Sequence, residues 1–175
     1  ISANTIDKYI DYFEDSFLIK RVHSYDVKGR KYIGTPYKIY FEDVGLRNAR
    51  LNFRQIEPTH LMENIIYNEL RFRGYMVDVG TVIKREYGPN DKDVKKQLEV
   101  DFIANLGSKK YYIQSAYSIS SKEKLEQEKA SLINIDDSFK KIIVVKDRIK
   151  PSLDEHGILT INLFDFLLDM DSLDL

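Results

Sequence analysis

The hydrophobic positions at the start of the chain recur first with a helical period and then with a strand-like one. Two residues that commonly cap helices, Ser2 and Asn4, precede apolar residues spaced three and four apart. These apolar residues are Ile6, Tyr9, Ile10 and Phe13. Two further apolar runs, within 17–22 and 31–41, flank the turn at 28–30. This part of the chain is therefore predicted to form a helix followed by a β-hairpin.

A helix followed by a basic hairpin is the second half of a winged helix, so we interpret residues 1–57 as a partial winged-helix-like module. In winged helices that bind DNA, the hairpin contacts phosphates. The candidate nucleic-acid contacts are Lys20, Arg21, Lys28, Arg30, Lys31 and Lys38. The competing interpretation is that the module only links domains or contacts another protein.

A second region is predicted to begin at Pro58. This proline restrains the residue before it, and Thr59 is a good N-cap. A helix is predicted from there until Gly74 ends it, followed by a strand at 75–82. The polar, charged residues 84–96 are predicted to form a long loop.

In the segment from 98 to 103, apolar residues alternate with a second set that is mostly acidic, and this period of two predicts a second strand. One face is predicted to carry Leu98, Val100 and Phe102, and the other Glu99, Asp101 and Ile103. A turn at 106–108 leads into a third strand at 111–117. The acidic side chains of the second strand are either functional or the solvated face of an antiparallel hairpin, and the pattern alone allows both.

A capping box formed by Ser120 and Glu123 predicts a helix to about residue 134. The remaining predicted elements are strands at 142–145 and 159–161 and a closing helix at 163–170. Residues 58–175 therefore contain a helix, three strands, a helix and a strand, and then a short strand and a helix. The predicted fold class is α/β (α+β), with an αβββαβ domain around a mixed sheet.

The composition limits the classes of protein and of site that remain. With 43% hydrophobic and 12% aromatic residues, the chain can bury one core and a small satellite. Cysteine is absent, which excludes disulfides and thiolate chemistry, and the three histidines are far apart. No apolar run of roughly 18 residues and no secretory signal is present, so we expect a cytoplasmic protein without a membrane partner. The chain begins with Ile1, and we expect a segment upstream of it.

The order of elements in 58–175, with acids on the first helix and the second strand, resembles the PD-(D/E)XK nuclease superfamily. The resemblance implies a restriction-endonuclease-like domain whose catalytic positions are Glu63, Asp101 and Gln114, with Mg²⁺ or Mn²⁺ held by Glu63 and Asp101. Gln114 stands where the superfamily has an acid, and Ala116 stands where it has a lysine. An amide binds magnesium less strongly than a carboxylate, and the missing ammonium removes stabilisation of developing charge, so we expect a degenerate site.

A closer resemblance rests on four segments taken together. They are 40–48, 61–70, 99–102 and 112–117. These segments are similar to the C-terminal region of a bacterial and archaeal family of AAA-type ATPases, in which a P-loop module precedes a winged helix and a nuclease-like domain. The resemblance implies an upstream ATPase module in the same polypeptide as the partner. ATP would bind only there, because this chain has no G-x-x-x-x-G-K-[ST] loop.

Three functional hypotheses follow from these patterns. The first is a non-catalytic accessory or binding domain of an AAA-type ATPase. The second is a weakly active, metal-dependent DNA nuclease that uses Glu63 and Asp101. The third is a DNA-binding module that uses the basic hairpin, with DNA as the partner. The sequence leaves the substrate and the oligomeric state open.

Overall fold

The computed structural model describes residues 2–87, 93–119 and 121–175. The helices are α1 (Ala3–Asp15), α2 (Val44–Arg50), α3 (Pro58–Phe72), α4 (Lys122–Ile133) and α5 (Leu163–Leu168). The strands are β1 (Ile19–Asp26), β2 (Lys31–Phe41), β3 (Met76–Tyr87), β4 (Asp93–Leu106), β5 (Lys109–Ala116), β6 (Lys140–Val145), β7 (Ser152–Leu153) and β8 (Ile158–Asn162).

The strands of the described residues form one eight-stranded sheet in the order β2-β1-β3-β4-β5-β6-β8-β7. Strand β4 is antiparallel to both of its neighbours, β3 and β5. Strands β5, β6 and β8 run parallel to one another. The predicted mixed α/β fold class is confirmed. The elements α3, β3, β4, β5, α4 and β6 follow one another in the predicted αβββαβ order.

Two layers of helices cover the two faces of the sheet. Helix α3 packs Met62, Ile66 and Leu70 against one face, together with Phe102 of β4. Helix α4 packs Leu132 against the other face. Burial on both faces explains why β6 is an almost continuous apolar run.

The β1–β2 hairpin of residues 1–57 belongs to the same sheet as the strands of residues 58–175. Residues Ser24–Asp26 of β1 pair in parallel with Val79–Thr81 of β3. The amide of Asn64 on α3 donates to the carbonyl of Phe41, and its oxygen accepts from the Phe41 amide. These bonds join the hairpin to β3 and α3.

The pairing of β1 with β2 changes register between His23 and Ser24, and an irregularity of this kind bends a strand pair. Only the half of β1 from Ser24 onward pairs with β3. The other half, 19–23 with 37–41, carries the contact of Phe41 with α3. The bend brings the end of β2 over the α3 face of the sheet.

Several predicted boundaries differ from the observed ones. Helix α3 begins at Pro58 with Glu57 as its N-cap, because proline is favoured at the first position of a helix. The predicted cap, Thr59, therefore lies inside the helix. Residues 84–96 were predicted to be a loop, but β3 continues to Tyr87 and β4 begins at Asp93, and the two strands are paired there. Helix α2, which begins after the N-cap Asp43, was not predicted.

Other termini follow the sequence closely. Ser2 accepts a hydrogen bond from the Thr5 amide and caps α1, as predicted. Gly74, with a φ of +87°, ends the turn after α3 in the left-handed region that favours glycine. Helix α4 is capped by Ser121, whereas the predicted cap, Ser120, lies outside the described residues.

No helix in the described part of the chain is both long and apolar enough to cross a membrane.

Candidate functional site

A β-bulge in β4 decides where Asp101 points. Asp78 of β3 is opposite Ile103 and Gly80 is opposite Val100, so two residues of β4 face Val79 alone. A bulge of this kind places adjacent side chains on one face of the sheet. Phe102 packs in the α3-side core, and Asp101 also reaches groups on that side. The predicted simple alternation of 98–103 is therefore wrong, since Val100 and Ile103 both pack on the α4 side.

Gly80 permits the close approach at this bulge. A Cβ at that position would lie 2.8 Å from the Cβ of Val100. A residue larger than glycine would push β3 and β4 apart at the point where Asp101 is turned.

Asp101 and Glu63 meet around the ammonium of Lys38, which comes from β2. The Lys38 Nζ lies 2.7 Å from Glu63 Oε1, 2.7 Å from Glu99 Oε1 and 3.4 Å from Asp101 Oδ1. The hydroxyl of Tyr40 donates to the same Glu63 oxygen at 2.6 Å. Because Lys38 and Tyr40 are two residues apart on one strand, both side chains point to the α3 side. We call Lys38, Tyr40, Glu63, Glu99 and Asp101 the Lys38 cluster.

The charges of the Lys38 cluster are strongly coupled. Burial alone would lower the pKa of Lys38, but the carboxylates of Asp101 and Glu63 outweigh it and hold that pKa above its ordinary value. Burial and then the charge of Glu63 raise the pKa of Asp101 to about 7, against the opposing effects of Lys38 and the Ser115 amide. Burial, followed by the charge of Glu63, raises the pKa of Tyr40, which keeps its hydroxyl a hydrogen-bond donor.

Gln114 is not brought into the Lys38 cluster. Its amide nitrogen lies 3.4 Å from Glu128 Oε2 and its oxygen accepts from the Ser131 hydroxyl, and both partners are on α4. Its one link to the site is the Asp101 backbone amide, which donates to the Gln114 oxygen at 3.4 Å. Ala116 packs in the α4-side core as well. The two degenerate positions predicted on the third strand thus face the other side of the sheet.

Ser115 is the residue of β5 that lies next to Asp101. Its amide donates to Asp101 Oδ2 at 2.8 Å. Its buried hydroxyl oxygen has no hydrogen-bond partner among the described residues. The α3 side of β5 therefore presents a hydroxyl where the nuclease resemblance would require an acid.

In this arrangement a cation of the chain, and not a divalent metal ion, lies among the carboxylates. Among the described residues, no group of three or more histidine, aspartate or glutamate side chains is placed to hold one. The Lys38 ammonium takes the place between Glu63 and Asp101 that the predicted Mg²⁺ or Mn²⁺ would need. The two predicted metal ligands are together, and a cation of the chain itself neutralises them.

The predicted nucleic-acid contacts of the hairpin are dispersed. Arg21 pairs with Glu14 at 2.6 Å and with Asp11, both on α1, and Lys20 lies 3.5 Å from Glu14. Lys28 lies 3.7 Å from Asp136. Arg30 and Lys31 are exposed near the turn. Lys20, Arg21 and Lys28, like Lys38, thus lie near carboxylates of the chain.

The sequence did not predict that Lys38 and Tyr40 contact the acidic residues of the site. Lys38 was counted among the surface cations of the hairpin. A lysine between aromatic and β-branched neighbours, in the run Tyr37-Lys38-Ile39-Tyr40, is a signal that its stem is partly buried. The hairpin's bend, which no local pattern shows, decides which acids it meets.

Fold and site together define a mixed α/β domain of αβββαβ order with an acid pair neutralised by a lysine. A family described as a domain of unknown function (DUF8612) matches residues 1–57. The chain is 32% identical over 167 residues to an uncharacterised protein of Haemophilus influenzae. It is 28% identical over 130 residues to an uncharacterised protein of Methanocaldococcus jannaschii.

These similarities cover most of this chain but a minor part of the relatives. The aligned residues are 95% of this chain and 38% of the Haemophilus influenzae protein. For the Methanocaldococcus jannaschii protein they are 74% of this chain and 26% of the relative. Both relatives are thus much longer than the region they share with this chain.

Proposed function

We propose that the chain is a non-catalytic accessory domain of a longer, cytoplasmic AAA-type ATPase polypeptide, in which the nuclease-like fold binds a partner and does not cleave. The observation that carries the proposal is the Lys38 ammonium, 2.7 Å from Glu63 and 3.4 Å from Asp101. A metal-dependent nuclease needs a divalent cation between these carboxylates. Here a lysine neutralises them instead.

The energetics favour the lysine over a metal ion. A divalent ion would have to displace a partly buried ammonium that contacts Glu63, Glu99 and Asp101. It would gain at most the same three carboxylates, of which Glu99 is 54% exposed, while the third-strand amide faces α4. Magnesium also loses hydration reluctantly, so weak sites with few anionic ligands stay unfilled at ordinary concentrations.

The ATPase part of the proposal has separate support. The four segments similar to the C-terminal region of AAA-type ATPases span both the hairpin and the αβββαβ domain. The shared region is 38% of one relative and 26% of the other, which leaves room in such polypeptides for a motor module. ATP would be bound by that module and not by this chain.

The test is a nuclease assay with Mg²⁺ and with Mn²⁺ on single-stranded, duplex and branched DNA. We expect no cleavage by the chain or by its Asp101→Ala variant. Metal-dependent turnover that is lost in Asp101→Ala would overturn the proposal. Turnover that persists in Asp101→Ala would instead identify a contaminating nuclease, so this variant is the matched control.

A weakly active metal-dependent nuclease is the second candidate. The bulge that turns Asp101 toward Glu63 favours it, because the acid pair is built even though the third-strand acid is missing. A metal ion would then have to displace the Lys38 ammonium from between Glu63 and Asp101. This candidate requires metal at Glu63 and Asp101, so titration calorimetry with Mn²⁺ that shows no binding in the millimolar range would contradict it.

A further inference from the structure

A second group of cations lies where three parallel strands end. Strands β5, β6 and β8 run parallel, so their carboxyl ends meet at one edge of the sheet. In open α/β sheets this edge is where ligands bind. The chain leaves β6 through Lys146, Arg148 and Lys150, and all three side chains are exposed.

Two of these cations lie over aromatic rings. The Lys146 Nζ is 4.6 Å from the ring centroid of Tyr117 and donates to its hydroxyl at 2.8 Å. The guanidinium of Arg148 is 5.6 Å from the ring centroid of Phe164. A ring positions a cation without neutralising it, so the charge remains available to an anion.

This group forms no ion pair with a carboxylate of the described residues, although the charge of the adjacent Asp147 acts on Lys146. In the described part of the chain, no acidic side chain lies within ion-pairing distance of Lys146, Arg148 or Lys150. Asp147 accepts from the backbone amide of Ile119, at 3.3 Å. Asp165 shares a hydrogen bond with Asn162 at the start of α5. The two nearby acids are therefore engaged with the chain itself.

A cleft of about 440 Å³ lies between this loop and α5. Its lining is formed by Arg148, Ile149, Lys150, Asn162, Phe164, Asp165 and Leu168, so it includes one acid beside the two cations. Phe164 is 47% exposed and forms an aromatic wall. Cations beside an exposed ring are the combination that holds a phosphate backbone and stacks an unpaired base.

We propose that Lys146, Arg148, Lys150, Tyr117 and Phe164, which we call the carboxyl-edge patch, bind single-stranded nucleic acid. The cations contact successive phosphates, and a base stacks in the cleft against Phe164 and Arg148. This inference goes beyond the proposed function, because it requires neither cleavage nor an ATPase module. It also places the nucleic-acid contacts after β6, on the opposite side of the sheet's strand order from the β1–β2 hairpin.

The aromatic wall selects unpaired bases over a duplex. Duplex DNA keeps its base faces stacked inside the helix, so Phe164 would gain nothing from it. An acidic protein segment would use the three cations but not the ring. The ring therefore discriminates between these partners in an experiment.

The experiment is fluorescence anisotropy with a labelled 20-nucleotide oligo(dT), in EDTA, at 50 to 200 mM salt. We expect Arg148→Glu/Lys150→Glu to weaken binding at least about 10-fold and to reduce the slope of log affinity against log salt by about 1.4. The matched control, Arg30→Glu/Lys31→Glu, makes the same charge change on the hairpin and should weaken binding less than about 3-fold.

Phe164→Ala separates stacking from charge. It should weaken oligo(dT) binding roughly 5- to 10-fold and leave the weaker duplex binding unchanged. Circular dichroism and thermal unfolding establish that each variant is folded before binding is measured. Because EDTA removes metal ions, the result does not depend on whether the Lys38 cluster is catalytic.

Four outcomes would overturn the proposal. They are no oligo(dT) binding at 50 mM salt, equal weakening by the hairpin control, no effect of Phe164→Ala, and equal affinity for polyglutamate. The last would show that the carboxyl-edge patch serves an acidic protein partner instead.

Discussion

The β1–β2 hairpin and the loop after β6 are both rich in lysine and arginine, yet they use these residues in opposite ways. Hairpin cations lie against carboxylates, as Arg21 does with Glu14 and Lys38 with Glu63. Loop cations lie against rings, as Arg148 does with Phe164. A count of cations along the sequence therefore does not predict which of them can bind a partner.

The difference arises from what each segment packs against. The hairpin lies between α1, which presents Asp11 and Glu14, and the acidic residues of α3 and β4. The loop after β6 leaves the sheet at an edge where the nearby acids bond to the backbone or to Asn162. The comparison predicts that hairpin substitutions change stability and loop substitutions change binding.

Removal of Lys38 should have the largest effect. Lys38→Met leaves Glu63 and Asp101 partly buried without their cation, and we expect the free energy of unfolding to fall by about 3–5 kcal/mol. Lys31→Met, on the same strand but exposed, should change it by less than about 0.5 kcal/mol. Urea unfolding measures both. A loss below about 1 kcal/mol in Lys38→Met would mean that the lysine is not structural.

The pH dependence of stability should report Asp101. Its pKa of about 7 in the folded chain exceeds the ordinary value near 4, so the folded state binds more protons between these values. The contribution of Asp101 is therefore largest at low pH, and it is lost as the pH rises toward 8. We expect wild type to lose on the order of 2 kcal/mol more than Asp101→Asn between pH 5 and pH 8.

Urea unfolding of both proteins at the two pH values isolates this contribution, because the other carboxylates are common to them. Equal pH dependence in wild type and Asp101→Asn would show that Asp101 remains ionised throughout.

Tyr40→Phe should have an intermediate effect. The substitution removes the hydroxyl that donates to Glu63 at 2.6 Å but keeps the ring stacked on Tyr67. We expect a loss of about 1–2 kcal/mol in the free energy of unfolding. Tyr9→Phe, whose ring is exposed on α1, is the control and should change little. Equal effects would indicate that the hydroxyl of Tyr40 contributes nothing to stability.

The smallest expected change in stability comes from Arg21→Met, and it compares the hairpin with the loop after β6 directly. Arg21→Met should lose about 1 kcal/mol, because it breaks the pairs with Glu14 and Asp11. Arg148→Met should lose close to nothing, since its guanidinium has no carboxylate partner among the described residues. Thermal unfolding at low salt compares the two. A similar loss in both would remove the distinction between hairpin and loop.

Much of the fold could be predicted from the sequence. The apolar spacing of α3, the glycine after it and the turn at Gly107 are local signals, and they gave the αβββαβ order. Helix α2 and the extended arms of β3 and β4 were missed. These arms carry Lys84, Lys95 and Lys96 where a half-buried strand would alternate apolar and polar residues. The local pattern therefore predicts a loop.

The candidate site was only half predictable. Glu63 and Asp101 were chosen from their positions on a helix and a strand, and they do lie together. The nuclease resemblance implies that Gln114 and Ala116 stand at the acid and lysine positions of the site, but they lie on the α4 side. The bulge in β4 turns Asp101 without turning its neighbours on β5, and a bulge depends on the pairing of two strands rather than on either strand alone.

The sequence by itself determined the αβββαβ order of elements and the two acids, because helical spacing, strand alternation and turn residues act over a few positions. Only the tertiary structure decided that Lys38 neutralises those acids and that Arg148 remains without a carboxylate partner in the described chain. Coulomb energy depends on distance and burial in space, and residues 38 and 101 become neighbours only when the hairpin bends over the sheet.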